Sequence, residues 1–389
     1  MKLRIIIPIV SFCTVVALAM SVHLPAQAQQ QSKLIEFDAP DAGTVFSSTA
    51  ACQPSCGIQS FANNNVGAIV GYYTDANVVA HGFLRTPSGH ITSFDAPEAG
   101  QGFGLDQGTV AYSINDLGVI AGLVQDSTSV YHGFVRSSDG SFTDFDAPGA
   151  GTGANQGTFA FNINLDGATA GVYVDASNVQ HGFVRSRNGE ITSFDPTGSI
   201  YTMVCEETCL NVEGAITGYY SDASGIIHGF LREPDGNFTT LDAPGAVQLT
   251  IGASINLEGA ITGYFLDSSN VAHGFVRTRE GNFTTFNVPT HTGVVETAAF
   301  SINLLGVVTG EFLDSSNVMH GFSRSRNGTF VTFDAPDAGT SAGQGTRPST
   351  NNLSGAVTGW WVDGNGLNHG FVWYAGWALL PGANSGQYR

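Results

Sequence analysis

The strongest constraint on this chain is a motif that recurs seven times with no change in its internal spacing. In the copy at 256–277, Asn256 is followed by Gly259, Gly263 and Asp267, and then by His273-Gly274-Phe275. The anchoring histidines are His81, His132, His181, His228, His273, His320 and His369, spaced 45 to 51 residues apart. Periods of this size belong to blade-type repeats, in which one unit cannot bury its apolar surface without neighbours. A second signature, Phe-Asp-Ala-Pro or a variant, follows most copies, as at Phe94-Asp95-Ala96-Pro97 and Phe145-Asp146-Ala147-Pro148. It also occurs alone at Phe37-Asp38-Ala39-Pro40, before the first full unit, and is missing after His369.

Each unit reads as four short strands. In the His273 copy they are a first strand ending at Ser254–Asn256, then Ala260–Leu266, Val271–Arg277 and Asn282–Asn287. Asn-Gly and Asp-Gly pairs such as Asn327-Gly328 and Asp235-Gly236 punctuate the hairpins, and no stretch holds a helical period. The second strand is apolar on both faces, since Ile69 and Val70, then Tyr72 and Tyr73, are neighbours that must point oppositely. A sheet with one wet face would alternate; four-stranded sheets stacked around an axis bury both faces. The expected fold is therefore all-β, a seven-bladed β-propeller with four strands per blade. Its ring is expected to close by pairing of the displaced strand at Ile35–Pro40 into the His369 blade. An open β-solenoid, the rival, leaves that strand unexplained.

The chain starts with a targeting pattern: Lys2 and Arg4, a largely apolar run from Ile5 to Val22, and Ala26-Gln27-Ala28 as a small-residue cleavage site. Residues 1–28 are expected to be a signal peptide and 29–389 a single propeller domain, exported to a secreted, periplasmic or cell-surface location, with no second apolar run to span a membrane. Without Lys2 and Arg4 the chain keeps 12 basic residues against 32 acidic ones, which argues against nucleic acid and anionic lipid as partners. A monomer is expected. Cys13 leaves with the signal, and Cys52/Cys56 and Cys205/Cys209 remain as two close pairs. In an exported chain these read first as local disulfides, with zinc as the rival.

The units also resemble a known family. Ser113-Ile114-Asn115-Asp116-Leu117-Gly118-Val119-Ile120-Ala121-Gly122 and the later His132-Gly133-Phe134-Val135-Arg136 are similar to the HAF-type extracellular repeat of bacteria. That pattern has Asn-x-x-Gly, a further Gly, then His-Ala-Phe and often Trp. Here Gly stands in place of the central Ala, and only Trp373 matches the Trp position. The resemblance spans all seven units and implies an exported repeat protein, with no activity attached.

The repeated Asp and His could run general-base chemistry. The pairs are Asp75/His81, Asp126/His132, Asp175/His181, Asp222/His228, Asp267/His273, Asp314/His320 and Asp363/His369. A catalytic centre needs one asymmetric constellation, so seven equal copies read as structural clasps. The turns at Asp267–Val271 and Asp314–Val318 offer oxygens suited to calcium, although Asp and Asn also build such turns unaided. Turn chemistry is the expected role and no cofactor is expected, with calcium the one alternative.

Function is expected where the repeats differ. The four tryptophans, Trp360, Trp361, Trp373 and Trp377, all lie at the last unit. They read first as core at the ring's seam and second as a sugar-stacking face. Glu206 and Glu207 sit between Cys205 and Cys209, His291 and Glu296 share one loop, and Glu311 follows Gly310 where other units carry an apolar or aromatic residue. The candidate ligand face is Trp360, Trp361, Glu206, Glu296 and Glu311, with no catalytic residue assigned. Long loops rich in Gly, Gln, Thr and Ala, Gly100–Val110 and Gly149–Thr158, suit neutral ligands. The expectation is a non-enzymatic binding or scaffold module for a neutral polysaccharide or a protein partner at one rim. The alternative is a lyase or glycoside hydrolase using acids that converge in the central funnel.

Overall fold

The computed structural model describes residues 32–43, 57–102, 107–289 and 294–376. Among these the regular structure is entirely β. After β1 (Lys33–Phe37), a meander of β2 (Ile58–Asn63), β3 (Ile69–Thr74), β4 (Ala80–Arg85) and β5 (Ile91–Phe94) forms one antiparallel four-strand unit. The pattern then repeats along the chain, each unit holding one of the repeated histidines. In the His273 unit the strands are Leu249–Ile255, Ile261–Leu266, Ala272–Arg277 and Phe283–Phe286, and every boundary expected from the sequence lies within a residue or two. The His369 unit has three consecutive strands of its own, Gly345–Asn351, Ala356–Val362 and Asn368–Tyr374, and β1 pairs antiparallel with the third, Leu34 opposite Trp373 and Phe37 opposite Gly370.

The repeated residues hold units together. The Phe of every His-Gly-Phe, from Phe83 to Phe371, is 0% exposed, and burying such a ring is worth about 1.5–3 kcal/mol. The Gly before it is needed because the unit's outer Phe packs over it: a Cβ on Gly82 would lie 2.6 Å from the Phe94 ring. Five of the arginines that close the third strand stack on the outer Phe of the preceding unit. Arg85 lies 4.7 Å from the ring centre of Phe37, Arg136 4.6 Å from Phe94, and Arg232 4.9 Å from Phe194; Arg185 and Arg324 do the same over Phe145 and Phe286. Each such cation–π contact adds about 0.5–1 kcal/mol where partly exposed.

The repeat's Asn makes a second tie. Asn64 donates its Nδ2 to the carbonyl of Asn115, Asn115 to Asn164, Asn164 to Asn211, and so on through Asn256, Asn303 and Asn352, which donates back to Asn64. Every Oδ1 meanwhile accepts the N–H four residues on and shapes its own turn, as from Ala68 to Asn64 and from Ala260 to Asn256. All seven side chains are buried, so each link excludes water and leaves a costly orphan if broken. The sequence shows this Asn at the head of every copy and leaves its partner unseen.

The clasps differ from expectation in their main partner. Nδ1 of His81 meets Asp95 at 2.9 Å, His181 meets Asp195 at 2.7 Å, and His228 meets Asp242 at 2.8 Å, all in the second signature. His132, His320 and His369 find Asp146, Asp334 and Asp38 in the same way, and His273 finds Asn287. The expected Asp, six residues back, sits on the other ring nitrogen at 3.1 to 3.9 Å. Its Oδ1 is committed to its own turn: Asp267 accepts the N–H of Ser269 at 2.7 Å and of Val271 at 3.0 Å. The His thus bridges a turn to the outer strand. No helix of the described residues is long and apolar enough to cross a membrane.

Candidate functional site

In six of the seven repeats the first strand carries an irregularity near its end. In β2 the pairing slips between Ser60 and Ala62, leaving Phe61 unpaired. Slips at the same place leave Tyr112, Phe161, Ala253, Phe300 and Ser349 unpaired in their units. A bulge of this kind re-aims a side chain, and all of these except Ala253 line one central cavity of about 720 Å³. A second layer comes from the residue after the second-strand Gly, including Tyr72, Leu123, Val172, Tyr264 and Trp360. A third lies two residues before the bulge, as at Gln59, Val110, Phe159, Met203 and Arg347.

The wall is aromatic over a continuous arc. Trp360 meets Phe61 edge-on at 5.9 Å, Phe61 stacks on Tyr112 at 4.8 Å, and Tyr112 meets Phe161 at 5.0 Å. Phe161 then neighbours Phe159, which lies 4.3 Å from Tyr131. Tyr264 and Phe300 stand at 6.4 Å elsewhere on the wall.

One unit breaks the pattern. In the His228 unit the paired strand stops at Val204 opposite Gly218 and resumes only where Cys209 O accepts the N–H of Thr217. Cys205-Glu206-Glu207-Thr208 therefore replaces the single bulge residue. The loop is clamped on three counts. Cys205 and Cys209 form a disulfide with Cα atoms 5.8 Å apart. Asn162 donates to Cys205 O and accepts from Cys209 N–H, both at 2.8 Å. Thr208 bonds the Ser254 hydroxyl and accepts Ile255 N–H.

Glu206 and Glu207 consequently project into the cavity. Both touch water there, yet protein surrounds them, and this desolvation raises both carboxyls, Glu207 to about 8 with help from the Glu206 charge. Burial likewise raises Glu311, which the Arg347 guanidinium partly offsets from 3.1 Å. Arg347 also lies 5.2 Å from the Trp360 ring. Tyr264, raised to about 12 by burial, feels Glu207, Glu311, Arg347 and Glu296 together.

Of the residues picked from sequence, Glu206, Glu207 and Trp360 line this cavity, while Glu311 and Glu296 stand beside it, Glu296 in the strand Val294–Ile302 and not in the loop expected for it. Trp361 does not belong to a ligand face: it is 5% exposed and stacks on His369 at 4.2 Å. Strand alternation puts adjacent residues on opposite faces, which separates it from Trp360. Trp373, 2% exposed against Phe333, is core as well. Cys52, Cys56, His291 and Trp377 fall outside the described residues. Cys205, Glu207 and Cys209 cluster within 4.8 Å, but the two sulfurs are bonded to each other, which removes the thiolates a zinc ion would need. Sequence reading missed Phe61, Tyr112, Phe161 and Phe159. The available signal was that the residues between the invariant ones change from copy to copy.

No protein-family profile matches the chain, so the likeness to the HAF-type repeat rests on the quoted residues, and no curated protein matches it by sequence. Solved structures do. A streptogramin B lyase covers 88% of this chain with 97% of its own, at a TM-score of 0.52 and 14% identity. A virginiamycin B lyase from Staphylococcus aureus covers 88% with 99% of its own, at 0.50 and 10%. A lectin from Burkholderia pseudomallei covers 87% with 98% of its own, at 0.47 and 10%. At such identities the likeness carries the fold and no activity: the chain is all-β, built of repeating four-strand units, and matches β-propeller structures.

Proposed function

We propose that the protein is an exported, seven-bladed β-propeller of the HAF-type repeat, closed by β1, that binds a ligand in its central funnel without turning it over. The circuit of seven asparagines, returning from Asn352 to Asn64, supports the blade count and the closure. The observation that carries the binding reading is the funnel wall, where positions equivalent by repeat hold different side chains and assemble a continuous aromatic arc. Concave sites that combine aromatic side chains with placed polar groups are where small ligands bind, and this cavity is lined by both. This moves the site from the rim loops to the axis. The loop around Gly149–Thr158 is spent on bridging units, with Asn155 N–H donating to Ser129 O and Gly157 pairing with Tyr131.

One observation favours the enzyme reading: Glu207, raised to about 8, holds a proton at neutral pH as a general acid must. Adjacent carboxylates on one loop do not make an acid–base pair across a bond, and Glu311 is engaged by Arg347.

The test is a panel of soluble oligosaccharides and aromatic fragments titrated into residues 29–389, with product release assayed in parallel. Binding lost in Phe61→Ala and Trp360→Ala, with no product, is the expected result. Product formation abolished by Glu207→Gln would establish the enzyme instead, and binding untouched by both aromatic changes would return the site to a rim.

A further inference from the structure

The funnel's polar equipment is one-sided. Its wall holds Glu206 and Glu207, and among the described wall residues the one cation is Arg347. Arg347 is already engaged, by Glu311 at 3.1 Å and by the Trp360 face at 5.2 Å. The two carboxyls face a wall of ring faces and edges: Tyr112, Phe161, Tyr131 and Phe159 on one side, Tyr264 and Phe300 on the other. Aromatic faces attract cations, most strongly where water is thinned out, and carboxylates in the same place supply the countercharge.

We propose that the funnel's ligand carries an organic cation, a quaternary or protonated amine, held against the aromatic wall by the Glu206–Glu207 loop. This rests on the funnel being the binding site and names the chemistry it selects. An anionic ligand would meet two carboxylates with no free cation beside them. A neutral sugar can hydrogen-bond the carboxyls, but it offers no countercharge to either of them once ionised in a partly desolvated site, where charge is expensive.

The construction of the loop supports the reading. Pairing along the inner strand needs one bulge residue, which Ala253 supplies in the next unit; the His228 unit spends four, staples them with Cys205–Cys209, and anchors them to Asn162 and Ser254. Fixing acidic groups where desolvation raises them costs stability, and nothing in the strand ladder calls for it. Carboxyls perturbed by burial in a cleft gather at functional sites. A bound cation stabilises the ionised carboxylate, so uptake is coupled to proton release from Glu207, whose carboxyl burial lifts to about 8. The titratable groups acting on Glu207 are Glu206 and Arg347, and Tyr264 packs nearby.

The decisive measurement is calorimetric titration of the intact protein with choline and with 3,3-dimethylbutan-1-ol, its uncharged carbon isostere, at pH 6 and pH 9. Choline is expected to bind at least tenfold more tightly than the isostere at pH 9. The preference should shrink toward parity at pH 6 and in Glu207→Gln, with protons released to buffer near pH 7. Because the pH arm uses the unaltered protein, the result does not depend on how well a variant folds. Equal binding of choline and isostere overturns the cation assignment, as does a preference indifferent to both pH and Glu207→Gln. Failure of both probes to bind also overturns it. The funnel itself falls only if the fragment panel and the Phe61→Ala and Trp360→Ala changes fail as well.

Discussion

The clasps and the funnel wall are built from the same strands and obey opposite rules. Along the clasps, His, Phe, Asn and Asp take the same partners in copy after copy: His181 with Asp195, His320 with Asp334, Asn164 with Asn211. Around the funnel, equivalent positions hold Tyr72, Leu123, Val172, Tyr264 and Trp360. A repeated residue meets the same kind of neighbour in nearly every copy, so one solution serves throughout. A residue that lines the cavity meets whatever the other units contribute, and a single ligand there would see each unit from a different side. Repetition therefore marks what stabilises the protein, and departure from repetition marks the wall on which the proposed binding rests.

That contrast can be broken most severely in the core. Phe275→Ala, at a fully buried interface, is expected to cost about 3–5 kcal/mol, read as a lowered urea midpoint. The Asn circuit comes next. Asn211→Ala removes the donor to Asn256 O and the acceptor for Ala215 N–H, at about 1–3 kcal/mol for the groups left unsatisfied. A loss no larger than at an exposed asparagine would show that the circuit is ornamental.

The funnel should respond with the opposite sign. Glu207 binds its proton more tightly folded than unfolded, so between its ordinary value of 4.5 and about 8 the folded state carries more protons and stability falls as pH rises. Glu207→Gln is then expected to stabilise the protein at pH 8 by about 1 kcal/mol. That is well under what the full shift implies, because water in the funnel screens the charge. A destabilised Glu207→Gln would place the acid among the stabilising residues.

The clasps give a weaker pH signature. The bond to Asp95 raises His81 above 6.5, so its contribution is complete below that value and fades as pH climbs through the raised one. His81→Gln should flatten the melting temperature between pH 6 and 8.5. Asp75 runs the other way. Burial opposes ionisation, but the N–H groups of Val79 and Asn77 prevail and lower it, so its contribution is lost as pH falls below about 3.8. Smallest of all, Arg326→Ala breaks an exposed pair with Glu258 and is expected to change stability by about 0–0.5 kcal/mol.

Much of this was legible from the chain. The period, the hairpin turns and the two-faced second strand pointed to stacked four-strand sheets, and the orphan Phe37-Asp38-Ala39-Pro40 pointed to the strand that completes the His369 unit. Glu206, Glu207 and Glu311 stood out because they break a repeated pattern. The partners of His81 and Asn64 did not, since Asp95 lies 14 residues away and Asn115 lies 51 away, and no local rule links positions so distant. Trp360 and Trp361 are adjacent and chemically identical, so nothing local says which faces the funnel and which faces His369.

What the sequence determined by itself was the repeating unit, because hydrogen-bonded hairpins and alternating side chains are set by residues close together in the chain. What only the tertiary structure decided was the site. The bulge that turns Phe61, Tyr112 and Phe161 inward, and the stapled loop that brings Glu206 and Glu207 among them, acquire meaning once separate units line one cavity. A cavity's chemistry is the sum of side chains that no stretch of sequence holds together.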